Sequence, residues 1–512
     1  MGVTRLIEPA DAPEERREIP LGPERDQPVC AKRIRRADQI GQIAVLVSVF
    51  AAPVLICIHK SSVTDPDVWW HLRAGDWILQ HHRVPHTDVF SWTNAGKPWP
   101  AYSWLFELLI AELVQQFGLV GLLGYSAGMV LGICVAMSFL VRRLQGDFTY
   151  AAVLAFSACF SLERMFTPRP WLFTILFFVL ELSILMQARK TGRTRELLWL
   201  PLIFWLWSNI HIEFIDGLIV LGIAAAEAAL SRRGIGVRTR IQFRWLLAAF
   251  IGSGLATLVN PFGWSIYRIV FDYISRAPQS AGLNGVAELH SIPFRSFPDF
   301  LVLFFALAAA AALARNRRPQ LFELGLLIFA SVVSFHAQRD IWLMITVAVA
   351  ILASSIPGER NASPKLPHGA TTVALVAAFL VAWAGFRTLH VTNNSLQERV
   401  TAALPERAVD AIRTNGYAGP LYNDYNWGGY LMWALQMPVS IDGRGAFYSD
   451  EAIDRSVATW GGQSDWSSDP QLKAAGLVIG PAMAPLTQLL RLDPHFRLVY
   501  EDQLAAVFVA HR

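Results

Sequence analysis

What a chain can fold into is narrowed most by long apolar runs, and this sequence carries them almost from end to end. A helix needs about 20 apolar residues to cross the hydrocarbon core of a bilayer. Candidate runs occupy 40–59, 121–141, 150–166, 171–187, 196–209, 214–231, 245–262, 299–314, 320–336, 341–355 and 369–386. Only 16% of the 512 residues are charged, against about 25% in soluble domains. The expected fold is a polytopic α-helical membrane protein with about eleven transmembrane helices. A net charge of +4 is too small to argue for nucleic acid, so none is expected as a partner. The four cysteines, Cys30, Cys57, Cys134 and Cys159, are scattered without metal-ligand spacing and read as small hydrophobes.

Basic residues orient the helices. The connections holding Arg142-Arg143, Arg189 to Arg195, Arg232 to Arg244, Arg315 to Arg318, and Arg360 with Lys365 all fall on one side, together with Lys32-Arg33 and Arg35-Arg36. The positive-inside rule makes that side cytoplasmic. Residues 1–39 are polar, Pro-rich and without the apolar core of a signal sequence, and read as a disordered cytoplasmic tail. Residues 40–387 form the membrane domain, with a long first outer loop at 60–120. An odd number of spans places 388–512 outside. There, short strand-like stretches (420–423, 439–441, 477–479, and 497–500 with 505–509 as a hairpin around Glu501-Asp502) alternate with helical ones (427–435, 485–492), as expected of an extracytoplasmic α/β domain.

The outward turns carry the ionisable residues. The first loop opens Thr64-Asp65-Pro66-Asp67-Val68-Trp69-Trp70-His71. Asp65 suits a helix N-cap, Pro66 the first helical position, and Asp67 the favoured end of the helix dipole. Trp70, Ala74 and Trp77 share one face, as an interfacial helix would have. Further turns hold Glu163, Arg164 and Arg169; Asn209, His211, Glu213 and Asp216; Glu288 and His290; and His336, Arg339 and Asp340. Taken singly, a cap or a neutralising neighbour explains most of them; Arg164 and Arg169 would neutralise Glu163 or face lipid headgroups, or else clamp a phosphate. Together they describe a one-sided polar cavity, and ionisable groups at membrane depth tend to face such cavities and mark function. Carboxylates and arginines there suit a lipid-linked anionic substrate. Asp442-Gly443-Arg444 and Tyr448 either line the cavity from above or form a local ion pair.

These residues carry a resemblance. The stretch 65–79, with Gly96-Lys97-Pro98-Trp99 and Trp104-Leu105, is similar to the first outer loop of the mannosyltransferase and aminoarabinose-transferase branches of the GT-C superfamily of membrane glycosyltransferases. The stretch 164–170, Asn209 with His211, Asn260-Pro261-Phe262-Gly263 and Arg339 resemble further motifs of bacterial members. The stretch 423–430 resembles, with a different residue order, the acceptor-recognition motif of oligosaccharyltransferases. The resemblance implies a multi-pass enzyme of the bacterial cytoplasmic membrane. It would move a sugar from a polyprenyl-phosphate donor to a lipid, glycan or protein acceptor. A first-loop carboxylate, Asp67 or Asp65, would serve as base, with Asp67 preferred because Asp65 has the better capping role. Arg169 and Arg339 would contact phosphate, and Arg164, His336, His71, His211 and Asn209 complete the implied substrate-binding set. Some relatives use a divalent metal, although no spacing here calls for one. The rival reading is a membrane protein that binds lipid-linked sugar without transferring it, or transports or assembles polysaccharide.

Overall fold

The computed structural model describes residues 27–60, 62–145, 147–235, 239–276, 287–315, 320–355 and 391–511, with scattered positions between 372 and 385. Among the described residues, thirteen helices build the first part: α1 (Gln27–Lys60), α2 (Pro66–His81), α3 (Trp104–Phe117), α4 (Leu119–Leu144), α5 (Phe148–Ser161), α6 (Trp171–Thr191), α7 (Leu200–Ile210), α8 (Phe214–Arg232), α9 (Phe243–Ala256), α10 (Ser265–Arg276), α11 (Phe297–Ala314), α12 (Leu321–His336) and α13 (Ile341–Ser355). Six stretches of helix among those residues are long and apolar enough to cross a membrane: Ile40–Lys60, Leu119–Leu144, Trp171–Thr191, Phe214–Arg232, Phe297–Ala314 and Gln338–Ser355. The runs at 150–166, 196–209, 245–262 and 320–336 fold as shorter apolar helices. The run at 369–386 lies largely outside the described residues. The boundary expected at residue 39 is not one in the backbone. Helix α1 starts at Gln27, since Ala31 to Gln39 contains no glycine or proline to interrupt it. Residues 1–26 lie outside the described set.

α4, α6 and α13 form the centre of the bundle, and α13 is buried nearly throughout its length. At the end of the bundle bearing the basic connections, Arg189 of α6 is shared by Glu227 of α8 and Glu323 of α12, the latter at 3.1 Å. Both carboxylates are buried, so this cation joins three helices where an unpaired charge would be expensive.

At the opposite end, α2 and α3 pack against each other and carry the C-terminal domain. The face of α2 with the interfacial pattern instead packs within the protein, with Ala74 and Trp77 buried and Trp70 half-buried. Trp69, on another side of the helix, is enclosed by Tyr430 and Trp433, whose ring centroids lie 5.0 and 4.7 Å away. These rings lie on the helix Gly428–Leu435 of the C-terminal domain. A methyl built on Gly429 would stand 2.8 Å from the Pro66 carbonyl oxygen. Glycine therefore permits this close helix contact.

The C-terminal domain is a mixed four-stranded sheet in the order β1-β2-β4-β3, with β1 (Leu421–Asn423), β2 (Leu477–Pro481), β3 (Phe496–Glu501) and β4 (Ala505–Ala510). β1 runs parallel to β2, while β3 and β4 form the expected hairpin. The stretch 439–441 contributes single bridges rather than a strand. Val439 pairs with Leu421 on one side and with Ser91 of the loop 60–120 on the other. A loop from the start of the chain thereby covers the edge of the sheet, which would otherwise present unpaired backbone groups.

Candidate functional site

The site grows from the N-terminus of α2. Asp65 has the extended backbone of an N-cap, and its side chain accepts the Asp67 backbone N–H at 3.0 Å. Pro66 follows in the first turn, where its missing N–H costs nothing. The cap points both carboxylates towards Arg169 in the turn before α6. Arg169 donates from Nε and Nη2 to the two Asp65 oxygens at 2.9 and 2.8 Å, and from Nη1 to Asp67 Oδ2. The turn presenting Arg169 is held by Trp171 Nε1 donating to the Met165 carbonyl at 2.8 Å and by the Tyr125 hydroxyl donating to the Arg169 carbonyl at 3.1 Å.

The two aspartates are not equivalent. The Asp67 side chain is 20% exposed and that of Asp65 10%, and Asp65 is engaged by the cap as well as the fork. Burial pushes Asp67 up to about 7, with Arg169 pulling the other way and Asp65 and Glu288 adding to the rise. A carboxylate in that range is suited to taking a proton near neutral pH.

One turn along α2, His71 is buried with Nδ1 3.2 Å from Glu107 Oε1 of α3. Burial pushes Glu107 up to about 8. Burial, with Arg169 and His211 nearby, holds His71 well below the usual imidazole range. At neutral pH the pair is thus a carboxylic acid donating to a neutral imidazole. Glu107→Gln keeps a donor in place, and its melting temperature should stay close to the parent. Glu107→Ala leaves the imidazole unpartnered and should cost about 1–3 kcal/mol in thermal unfolding.

A second centre lies between α7, α8 and α13. Arg339 donates from Nη2 to Glu213 Oε1 at 2.9 Å and from Nη1 to the Tyr273 hydroxyl, with Nε 3.6 Å from Asp340 Oδ1. His211 Nδ1 lies 3.2 Å from Glu213 Oε2 and 3.0 Å from Thr174 Oγ1, which accepts Trp207 Nε1 at 2.9 Å. Burial alone would raise Glu213, but His211 and Arg339 outweigh it and hold the carboxylate down at about 2. Glu288, in the short turn Ala287–Leu289, links the two centres. Its charge acts on Asp67 and Arg169 in one and on Tyr273 and Arg339 in the other. Tyr425 of the C-terminal domain stands in the field of Asp67, Glu288 and Arg169.

Asp65, Asp67, Arg169, His71, His211 and Arg339 are therefore brought to one end of the bundle. Other candidates go elsewhere. Asn209 accepts Trp104 Nε1 at 3.0 Å and donates to the carbonyls of Trp205 and Val259 at 2.8 and 2.9 Å. Those bonds join α3, α7 and the end of α9 beside an apolar groove of about 550 Å³. Arg164 pairs with Asp299 of α11 rather than with Glu163, which pairs with Lys60 at 3.4 Å. His336 lies at the end of α12 and, among the described residues, is not one of the hydrogen-bond partners of Arg169 or Arg339. Glu213, Glu288 and Tyr273 join the site without belonging to the residues that the resemblance implies, and Tyr425 joins it from the stretch 423–430. The sequence signal of the first three is position, each lying in or near a connection at the end of the bundle opposite the basic ones. As for a metal, Arg169 fills the side of Asp65 and Asp67 that a cation would need. Among the described residues no three His, Cys, Asp or Glu side chains converge on one point. The residues as arranged do not fit a metal.

No family model matches the sequence, and neither does any curated protein. Solved structures do. The oligosaccharyltransferase of Archaeoglobus fulgidus, tethered to an acceptor peptide containing the NVT sequon, is similar over 91% of this chain and 74% of its own, with TM-score 0.52 and 11% identity. ArnT of Cupriavidus metallidurans, bound to undecaprenyl phosphate, is similar over 90% of this chain and 97% of its own, with TM-score 0.49 and 13% identity. At such identity the likeness is one of fold, and the fold is the one that the oligosaccharyltransferase has.

Proposed function

We propose that this GT-C-fold chain is a glycosyltransferase that moves a sugar from a polyprenyl-phosphate donor to an acceptor on the non-cytoplasmic face of a bacterial cytoplasmic membrane. The observation that carries the reading is the meeting of Asp67, partly exposed and raised to about 7, with two arginine centres at one end of an apolar bundle. An acceptor O–H or N–H gives its proton to Asp67 as the nucleophile bonds to the anomeric carbon. The bond from that carbon to the phosphate oxygen breaks, and the electron pair leaves with the polyprenyl phosphate. Attack opposite the leaving group inverts the anomeric centre. Donors fixed in advance where charge develops lower the barrier.

The two arginines divide the work in this reading. Arg169 spends Nε, Nη1 and Nη2 on Asp65 and Asp67, which favours orientation of the base over phosphate contact. Among the described residues, Arg339 is hydrogen-bonded through Nη1 and Nη2 to one partner each. With a single carboxylate at hydrogen-bond distance, Glu213, and Asp340 farther off at 3.6 Å, it keeps more of its charge for phosphate than Arg169 does, and guanidinium recognises phosphate in a fork. Purified protein in lipid nanodiscs, given undecaprenyl-phosphate-linked glucose, mannose and aminoarabinose in turn together with a cell-envelope extract as the source of acceptor, should release undecaprenyl phosphate from at least one. Arg339→Ala should raise the KM for that donor about tenfold or more, the effect of losing a charged hydrogen-bond partner. Binding of a donor without its turnover in the parent protein would replace catalysis by the lipid-linked-sugar binding reading.

A further inference from the structure

The turn at 442–444 of the C-terminal domain takes both of the courses open to it from sequence, a local ion pair and a wall of the site. Arg444 makes a fork to Asp442, Nε to Oδ1 at 2.8 Å and Nη2 to Oδ2 at 2.7 Å, and reaches Asp88 Oδ1 with Nη1 at 2.7 Å. Asp442 Oδ2 also accepts the Tyr448 hydroxyl at 2.7 Å, while Asp88 accepts the backbone N–H groups of Phe90 and Ser91 and the Ser91 hydroxyl. The guanidinium is covered by the rings of Trp99, Phe447 and Phe90, with centroids 4.6, 5.0 and 5.4 Å away. This triad joins the C-terminal domain to the loop 60–120. The adjoining seam is also hydrogen-bonded, with Trp92 Nε1 donating to the Leu421 carbonyl at 3.0 Å and Thr93 Oγ1 to the Ser440 carbonyl at 2.6 Å.

Between the two anchor residues stands Gly443. A methyl group built on it would overlap Asp67 Oδ1 and lie 3.5 Å from Trp70 Cδ1. The other Asp67 oxygen is the one bonded to Arg169. The carboxylate is thus gripped at Oδ2 and bounded at Oδ1 by bare backbone. Anchoring alone would explain Asp442 and Arg444. It does not require that the residue between them be placed against the carboxylate with no room for a side chain.

We propose that the 442–444 turn is the positioning element for Asp67, with Arg444 fixing the turn to the loop through Asp88 and Gly443 setting the space in which the carboxylate stands. The inference rests on Asp67 being the base of the transfer reaction. Gly443 and Arg444 are positioning residues, since they act through Asp67.

Gly443→Ala in the full chain tests it, with Gly124→Ala, whose added methyl meets open space, as control. The expected result is a kcat for undecaprenyl-phosphate-sugar turnover about 100-fold lower, the cost of misplacing a catalytic group by about an ångström. The donor KM should stay within about threefold, because the loss falls on the chemical step. The acid limb of the pH–rate profile should move, as a merely structural lesion would not make it do. A cryo-EM map should show the Asp67 carboxylate displaced. Wild-type kcat and acid limb in Gly443→Ala, or an Asp67 left in place in the map, would overturn the proposal. Absence of turnover in the parent protein with every donor would defeat the catalytic reading instead, and the map alone would then decide the positioning. Should Gly443→Ala fail to fold, Asp88→Asn adds no volume and is read in the same three ways.

Discussion

Asp67→Asn is expected to lower turnover by about 10²–10⁴-fold, the contribution of a well-placed general base. Asparagine has the shape of aspartate, and its carbonyl oxygen still accepts from Arg169, but it takes no proton from an acceptor. Asp65→Asn should be milder, because the remaining oxygen still caps the helix and accepts from Arg169 Nη2, and only the bond from Nε is lost. In the parent protein the pH profile follows from the same group. The basic form is needed, so the rate should rise with pH through about 7 and fall as the carboxylate protonates below it. Loss of that acid limb in Asp67→Asn, with the residual rate flat across the same window, would identify the titrating group. A double variant, Asp65→Asn with Asp67→Asn, that turned over donor at the parental rate would remove the base from this loop altogether.

The second large effect is on stability. Arg444→Ala should cost about 3–5 kcal/mol, since removing one partner of a buried ion pair strands the other. Here two partners are stranded, for Asp88 and Asp442 have fully buried side chains facing the same guanidinium. Screening by salt is weak at such depth, so the loss should persist at high ionic strength. Arg444→Met, which fills the space between Trp99 and Phe447 without restoring charge, should recover little. Thermal unfolding of the purified protein, followed by protease sensitivity of the C-terminal domain, gives the measurement. A melting temperature unchanged in Arg444→Ala would show that the domain is held mainly by its helix and strand contacts with the loop.

Much of the architecture is legible in the order of residues. Hydropathy locates the helices because lipid demands apolar length, and the Asp65-Pro66-Asp67 order discloses a cap because capping is local. The hairpin at Glu501-Asp502 is legible for the same reason. Partnership across the chain is not. Arg169 and Asp65 are 104 residues apart, and Arg339 and Glu213 are 126 apart. Proximity in sequence assigns Arg164 to Glu163, whereas the fold gives it to Asp299. The Trp70, Ala74 and Trp77 face of α2 illustrates a different limit. A stripe of aromatic and small residues has the same pattern whether it meets lipid or protein, and only the presence of α3 and the C-terminal domain decides between them. Asn209 looks like a site residue because it lies beside His211, yet its amide is consumed in tying three helices together.

The bond between Asp88 and Arg444 spans 356 residues, and that separation bears on how the molecule is made. Synthesis proceeds at about 5–20 residues per second, so Asp67 and its loop exist for roughly 20–70 s before the turn that fixes them leaves the ribosome. During that interval Ser91 has no Val439 to pair with, and the carboxylate has no wall. The nascent protein therefore acquires its helices in order but the surroundings of Asp67 last, and a polypeptide halted before residue 444 would hold that carboxylate without its wall.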